Sequence, residues 1–210
     1  MLRQGSFLYQ LCEWVVRLAY LHLLWVLFSL LGLVIFGVMP ATVATYTVIR
    51  KWLRGDVDIP IFSTFFQTVK KEFFKANAFG LVLGTIAFVI YFDFILLQQV
   101  EGSVQSFIFA SLLILVLLVS VMVVFLFPVY VHYEFSFFRY FQKAVLFGFV
   151  SPLYTLSILF SLIAVYYIFA NIPGIFIFFG ASLPAFIIMF LTNRVFLSVE
   201  NRKQQLEHDE

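Results

Sequence analysis

The sequence predicts an all-α protein, a polytopic transmembrane helical bundle of about five spans. Hydrophobic residues make up 63% of the 210 residues and charged residues only 11%, whereas a soluble domain carries about 25% charged residues. The mean hydropathy is +1.05. Five apolar runs each reach the roughly 20 residues with which a helix crosses about 30 Å of hydrocarbon. Because lipid cannot hydrogen-bond backbone amides, such runs must be helical.

The predicted spans belong to one membrane domain that comprises residues 1–210. They cover residues 18–39, 76–97, 106–127, 144–170 and 172–192. The last two are separated by a turn-forming cluster at 171–174, which predicts a hairpin and not one long crossing. Residues 1–17 are short and mixed, and they either lie in the membrane interface or extend the first span. Residues 193–210 form a charged C-terminal tail.

The distribution of cations predicts the orientation. Eleven of the 13 Lys and Arg residues fall in the loop at 40–75, in the later loop on the same side or in the tail, and these are Arg50, Lys51, Arg54, Lys70, Lys71, Lys75, Arg139, Lys143, Arg194, Arg202 and Lys203. Only Arg3 and Arg17 fall on the other side. The positive-inside rule therefore predicts a multi-pass protein of the cell membrane, with its N-terminus outside and its C-terminus in the cytoplasm.

The inner loop at 40–75 contains a predicted amphipathic helix at about 60–74. Phe62, Phe65 and Phe66 recur at helical spacing, with polar and basic residues on the other side. A basic amphipathic helix of this kind is typical of the membrane interface. The loop and helix together predict a surface for interaction with a partner on the inner face, formed by Phe62, Phe65, Phe66, Arg50, Lys51, Arg54, Lys70 and Lys71.

The chain also contains a predicted internal repeat that relates spans 1–2 to spans 3–4. The first and third spans end at Met-Pro and Phe-Pro, and a Phe-Ser-x-Phe run follows each. Each half then re-enters the bilayer through Lys-Ala-x-x-Phe-Gly, at 75–80 and 143–148. The charged side is the same in both halves, so the repeat is parallel. Parallel repeats occur in transporters, where the substrate site lies between the halves, but duplicated hairpins also build scaffolds.

Polar residues near the outer side suggest one candidate site. Asp93 is the only acid inside an apolar run, and intramembrane acids are a default indication of function. His22 lies at a comparable depth in the first span, with Arg17 and Glu13 just above it. If the first two spans pack as a hairpin, His22, Asp93, Arg17 and Glu13 form a polar cluster. Such a cluster either binds a polar ligand or a proton, or ties the helices together, and the structural role is favoured.

No motif indicates catalysis. The chain has no His-Glu-x-x-His, Gly-x-Ser-x-Gly, Gly-x-x-x-x-Gly-Lys or Gly-x-Gly-x-x-Gly sequence, and these are common marks of metal, nucleophile and nucleotide sites. With a single cysteine, Cys12, it has no internal disulfide framework and no cysteine-based metal site. The net charge of +2 does not suggest nucleic acid as a partner. We therefore expect no enzyme, no catalytic residue, no cofactor and no metal.

Several stretches resemble the YesL-like family of small bacterial multi-pass membrane proteins, a domain of unknown function. The similarity lies in Cys-Glu-Trp at 12–14, Pro-Ala-Thr at 40–42, Lys-Ala-Asn at 75–77 and above all Arg-Lys-Trp-Leu-Arg-Gly at 50–55. The resemblance implies a protein of the cytoplasmic membrane. It also implies companionship with carbohydrate-uptake systems, especially ABC importers, without an established activity and without functional residues to carry over.

Three hypotheses for the function follow. The favoured one is an accessory or partner protein of a carbohydrate ABC uptake system, which contacts transporter subunits through the inner helix and basic loop. The second is a small solute transporter with a site between the repeats near His22 and Asp93. The third is a lipid-sensing or scaffold protein in which the Phe-rich inner helix contacts the bilayer.

Overall fold

The computed structural model of the protein describes residues 7–208, and the side chains of residues 9–200. Within this part of the chain all regular structure is helical. The helices are α1 (Phe7–Leu31), α2 (Val38–Leu53), α3 (Ile61–Leu97), α4 (Ser103–His132), α5 (Phe137–Val150), α6 (Pro152–Asn171), α7 (Pro173–Phe179) and α8 (Ser182–His208). Residues 1–6, which include Arg3, and residues 209–210 lie outside the described part.

Within residues 7–208, five helices are long and apolar enough to cross a membrane. The qualifying segments are Tyr9–Leu31, Ile61–Leu97, Ser103–His132, Pro152–Asn171 and Ser182–Glu200. This confirms the predicted all-α class with five candidate spans, although the helix bounds differ from the predicted ones. The start of the chain is one of these differences, because α1 joins most of the predicted mixed segment to the first span in one continuous helix.

Helix α2 lies where the sequence analysis placed the beginning of a long inner loop. Nine of its 16 residues are buried, and it packs against α1, α3, α4 and α8. Pro40 is accommodated because it occupies the first turn, where a backbone N–H has no helical partner. Three threonines donate their hydroxyls to the carbonyls four residues earlier, from Thr42, Thr45 and Thr47. The segment predicted as a loop is therefore the central helix of the fold.

Helix α3 joins the predicted amphipathic helix and the second predicted span without a break. It begins after Pro60 and continues through Lys75 and Ala76 to Leu97. Its 37 residues correspond to a length of about 55 Å at 1.5 Å per residue. The amphipathic part is consequently not a separate helix, and Phe65 within it is completely buried.

The beginning of α1 lies next to the connection between α2 and α3. Arg17 donates from Nη1 to the Val57 carbonyl oxygen at 2.8 Å, and its Nη2 lies 3.5 Å from Asp58 Oδ1. The orientation prediction assumed a single crossing between Arg17 and this connection. Two antiparallel helices, α1 and α2, lie there instead, so Arg17 and the connection are on the same end of the bundle.

The fourth and fifth predicted spans are each divided. The first break is at Ser151, because the ring of Pro152 disfavours helical backbone at the residue before it. There the Thr155 hydroxyl donates to the Gly148 carbonyl at 2.8 Å, which satisfies one of the carbonyls at the break. The second break is at residues 180–181, between α7 and α8. The hairpin turn expected at 171–174 coincides with the boundary between α6 and α7.

The hydrophobic core lies around α2 and the C-terminal third of α4. Among the described side chains, the large ones that are almost completely buried come from six helices and include Leu21, Ile49, Phe65, Phe79, Phe125, Leu126, Ile158, Met189 and Phe196. By contrast, the second half of α3, the first half of α4 and much of α6 expose large apolar side chains. Such surfaces are typical of contact with lipid.

Candidate functional site

The C-terminal ends of α2 and α4 meet the beginning of α3 around a polar cleft of about 630 Å³. We call this feature the basic cleft. Its four cations are Arg50 and Lys51 from α2 and Lys71 and Lys75 from α3, and its two carboxylates are Glu72 and Glu134. The cleft forms because α2 and α3 run antiparallel after a short connection, and α4 ends beside them. We call this end of the bundle the basic end.

Arg50 and His132 are in contact at one wall of the basic cleft. Arg50 Nη2 donates to the His132 carbonyl oxygen at 3.3 Å, while Arg50 Nε is buried and has no hydrogen-bond partner among the described residues. Burial, together with the neighbouring Arg54 guanidinium, lowers the pKa of Arg50. No described carboxylate lies within ion-pair distance of Arg50. A half-buried guanidinium without a counterion is energetically costly.

The imidazole of His132 is 8% exposed, and its Nδ1 is buried without a described partner. On the other side of the ring, Nε2 lies 3.6 Å from Glu200 Oε1 of α8. The same carboxylate accepts a hydrogen bond from the Tyr133 hydroxyl at 3.1 Å. Burial and the Glu200 carboxylate raise the pKa of Tyr133, which therefore remains protonated. These contacts fix the end of α4 against α8.

The carboxylates do not neutralise the cations of the cleft. Glu72 accepts a hydrogen bond from the Tyr130 hydroxyl, and its other oxygen lies 3.8 Å from Lys71 Nζ. Lys51 and Lys75 have no ion pair within the part of the chain whose side chains are described. The cleft therefore carries an excess of positive charge in which at least three cations lack a carboxylate partner.

A buried tyrosine holds the turn that forms the rim of the cleft. The Tyr140 hydroxyl donates to the Tyr133 carbonyl at 3.2 Å and accepts from the Phe135 amide at 3.0 Å. Tyr140 is 8% exposed, and its ring packs edge-on against Tyr130 and Phe79. The turn between α4 and α5, which presents Glu134 to the cleft, is thus anchored by side chains from α3, α4 and α5.

His22 does not join the cluster predicted around it. It is 5% exposed, and its Nδ1 accepts a hydrogen bond from the Ala181 amide at 3.1 Å. Ala181 lies at the break between α7 and α8, where the backbone N–H has no helical partner. His22 therefore ties α1 to this break, which is a structural role.

Asp93 lies far from His22. The Asn77 side chain of α3 donates to the Phe36 carbonyl at 3.1 Å, which aligns residue 77 with the turn between α1 and α2. Asp93 is about 24 Å beyond this contact along α3, and His22 is about 13 Å from the end of α1 in the opposite direction. The structure therefore separates the two residues. Glu13 and Arg17 do form an ion pair, at the basic end and not beside His22.

The predicted interaction residues divide into four groups. Arg50, Lys51 and Lys71 line the basic cleft, whereas Arg54 and Lys70 are exposed outside it. Phe62 and Phe66 are 51% and 48% exposed on α3. Phe65 is 0% exposed, and its ring packs 5.2 Å from that of Phe28. Its inclusion in an interaction surface was wrong, because a ring that is completely buried against a neighbouring helix is not available to a partner.

Similar proteins identify the family. The chain is 39% identical over 189 residues to the uncharacterized protein YteU of Bacillus subtilis (strain 168), covering 90% of this chain and 85% of that protein. It is 38% identical to uncharacterized protein YesV and 35% identical to uncharacterized protein YesL of the same organism, over 94% and 92% of this chain and 95% and 91% of those proteins. The model of DUF624, a protein family of unknown function, matches residues 18–94. The chain belongs to the DUF624 family.

The region matched by the DUF624 model extends from α1 through most of α3, and it includes all four cations of the basic cleft. No solved structure matches this DUF624 protein. Among the residues whose side chains are described, no group of three or more His, Cys, Asp and Glu side chains is suited to hold a metal ion. The chemistry that the cleft offers is therefore hydrogen-bond donation and positive charge.

Proposed function

We propose that this DUF624 protein is an accessory membrane protein of a carbohydrate ABC uptake system, with no catalytic step of its own. The observation that carries the proposal is the concentration of charged and polar side chains at the basic end, in and around the basic cleft. The resemblance to YesL-like proteins supplies the type of partner. The exposed rings of Phe62 and Phe66 at the same end supply an apolar contact surface.

A solute transporter with its site between two repeats is less well supported. Such a site would lie near mid-membrane, and the distance between His22 and Asp93 removes the cluster on which it depended. Contact of the Phe-rich helix with lipid is compatible with Phe62 and Phe66, but it does not account for the uncompensated cations of the cleft. A partner at the basic end accounts for both features.

We further propose that the basic end faces the cytoplasm and that both termini lie on that side. The contact of Arg17 with Val57 places the beginning of α1 at the basic end, and Glu200 of α8 lies there beside His132. In this topology the 12 Lys and Arg residues from Arg17 to Lys203 are all cytoplasmic, whereas the predicted topology leaves Arg17 outside. The positive-inside rule favours the larger asymmetry.

The test is crosslinking in native membranes, purification of the tagged protein and mass spectrometry of the proteins recovered with it. We expect a membrane or ATPase subunit of an ABC importer in stoichiometric amount. The variant Phe62→Ser/Phe66→Ser should lose it, because these rings are exposed. Phe107→Ser, which changes a 77% exposed ring near the opposite end of α4, is the matched control and should retain it. Purification of the wild-type protein alone would overturn the proposal.

A further inference from the structure

We propose that the basic cleft is a binding site for a phosphate-bearing ligand. Four cations from two helices line a volume of about 630 Å³, which is in the range of pockets that hold small ligands. The proposal goes beyond the accessory role and does not depend on it, because it concerns a small ligand and not a protein partner.

The first argument is the lack of counterions. Arg50, Lys51 and Lys75 have no carboxylate partner among the described side chains, while Glu72 is engaged by Tyr130 and Lys71. Arg50 and Lys51 are half-buried, and half-buried cations are stabilised by pairing with an anion, whereas Lys75 is exposed and adds to the positive charge. A guanidinium and several ammonium groups around one cavity are the usual arrangement for an oxyanion with two or more charges.

The second argument is the presence of unsatisfied polar atoms in the walls. Arg50 Nε and His132 Nδ1 are buried without a described hydrogen-bond partner, whereas the great majority of buried polar atoms in proteins have one. Both residues line the cleft, and the His132 imidazole is more than nine-tenths buried. Because these atoms are enclosed by the protein, they are not themselves contacts to a ligand, but they show that Arg50 and His132 are incompletely satisfied by protein groups at the wall of the cleft.

The chemistry fits a phosphate for geometric reasons. The donors come from several directions, with Arg50 and Lys51 on α2 and Lys71 and Lys75 on the facing helix. A tetrahedral phosphate accepts hydrogen bonds from all sides, and its charge matches several cations. Two sources provide this group, a soluble phosphorylated metabolite and the headgroup of an anionic phospholipid. The headgroup of an anionic phospholipid would lie near the basic cleft, because the apolar part of α3 begins directly after Lys75.

The experiment measures binding of glycerol 3-phosphate to the purified full-length protein in a non-ionic detergent, by isothermal titration calorimetry and by the shift in melting temperature. A ligand that binds only the folded protein raises its melting temperature. We expect saturable binding, with no effect of glycerol at equal ionic strength. In parallel, native mass spectrometry would count phosphatidylglycerol and phosphatidylcholine molecules retained by the protein.

The variants compare lysines that line the basic cleft with a neighbouring lysine outside it. Lys71→Gln and Lys75→Gln change exposed side chains that line the cleft, and together they should weaken binding about tenfold or more. Lys70→Gln removes one positive charge from an exposed position outside the cleft and should leave binding unchanged, whereas Lys71→Gln alone removes one charge from the cleft and should weaken binding. Arg50→Lys keeps the charge but removes the fork of donors, and it should also weaken binding.

The outcomes distinguish the two sources. Binding of glycerol 3-phosphate that depends on Lys71 and Lys75 supports a soluble ligand. Selective retention of phosphatidylglycerol with the same dependence, without binding of glycerol 3-phosphate, supports a headgroup. The proposal is overturned if neither ligand binds, or if Lys70→Gln weakens binding as much as Lys71→Gln/Lys75→Gln. Because the protein is tested alone, either result is independent of whether an importer subunit is found.

Discussion

At the scale of single residues, His22 connects two parts of the chain that are 159 positions apart. Its Nδ1 accepts the Ala181 amide at the break between α7 and α8. Replacement by leucine leaves this partly buried N–H without a partner, so we expect His22→Leu to lower the free energy of unfolding by about 1–3 kcal/mol. His22→Asn retains an acceptor and should lose less. Thermal melting of the purified variants in detergent checks this, and equal melting of His22→Leu and the wild type would contradict the assignment.

Glycine substitutions provide a second comparison at this scale. A Cβ added at Gly148 would lie 2.1 Å from Val121 Cγ1, whereas a Cβ at Gly84 meets nothing within 4 Å. We expect Gly148→Ala to destabilise the protein by about 1–3 kcal/mol, because α4 and α5 must move apart. Gly84→Ala should be neutral or slightly stabilising, since alanine favours helix more than glycine does. Melting of both variants under identical conditions is the measurement, and a result in the reverse order would count against the packing of α4 on α5.

The sequence could identify residue types but not their partners. It marked His22 and Asp93 as unusual, yet the pairing required a register between two helices that periodicity does not contain. The sequence marked Phe65 as part of an apolar stripe, but it did not show that the Phe65 ring packs against Phe28 of another helix. Glu72 could be singled out from the sequence, because it is the only acid in residues 61–75. Its partner Tyr130 could not be identified from the sequence, because the contact joins residues 58 positions apart.

At the scale of elements, α2 was the helix that hydropathy did not reveal. Its threonines and two cations lower its mean hydropathy, and Pro40 suggests a boundary. Within the fold the threonine hydroxyls bond to the helix backbone and the cations lie at one end.

Hydrogen exchange tests the central position of α2. Backbone amides in stable, buried helices exchange slowly, so we expect peptides from residues 42–52 to be among the slowest to exchange in detergent. Peptides that cover the connection at 54–60, which is largely exposed, should exchange rapidly. Equal rates for the two segments would show that α2 is not the stable centre of the bundle.

The predicted internal repeat remains a prediction, but the matching motifs have similar surroundings. Ala76 and Ala144 are both 0% exposed. Gly80 lies against Met39, just before Pro40, and Gly148 lies against Val121 and Phe125, shortly before Pro128. In both copies, small residues allow a helix to approach the one that precedes it in the chain. Motif order was detectable in the sequence, and Pro152 marks the break between α5 and α6. The break between α7 and α8 was not apparent from hydropathy, because it lies within a continuous apolar run.

At the scale of the whole molecule, the orientation can be tested with single cysteines. In a Cys12→Ser background, Asp58→Cys replaces a residue of the connection between α2 and α3 whose side chain is 96% exposed. Glu101→Cys replaces an exposed residue between α3 and α4. A membrane-impermeant maleimide should label position 101 in intact cells, and position 58 only in inverted vesicles, because α3 carries the chain across the membrane between them. The reverse pattern would place the basic end outside.

The position of the N-terminus needs a separate measurement. An N-terminal epitope tag should be removed by protease in inverted vesicles and protected in intact cells, since α1 begins at the basic end. Protection of the tag in inverted vesicles, with labelling of position 58 there, would restore the N-terminus-outside topology that the predicted spans and the distribution of cations indicated.

The length of α3 has a mechanical consequence. The helix is uninterrupted from the wall of the basic cleft to the turn before α4, so its two ends cannot move independently. A change of tilt of about 10° would displace one end of a 55 Å helix by about 10 Å relative to the other. A ligand that changes the tilt of α3 at the basic cleft would therefore also move the end of the helix at the opposite face of the membrane.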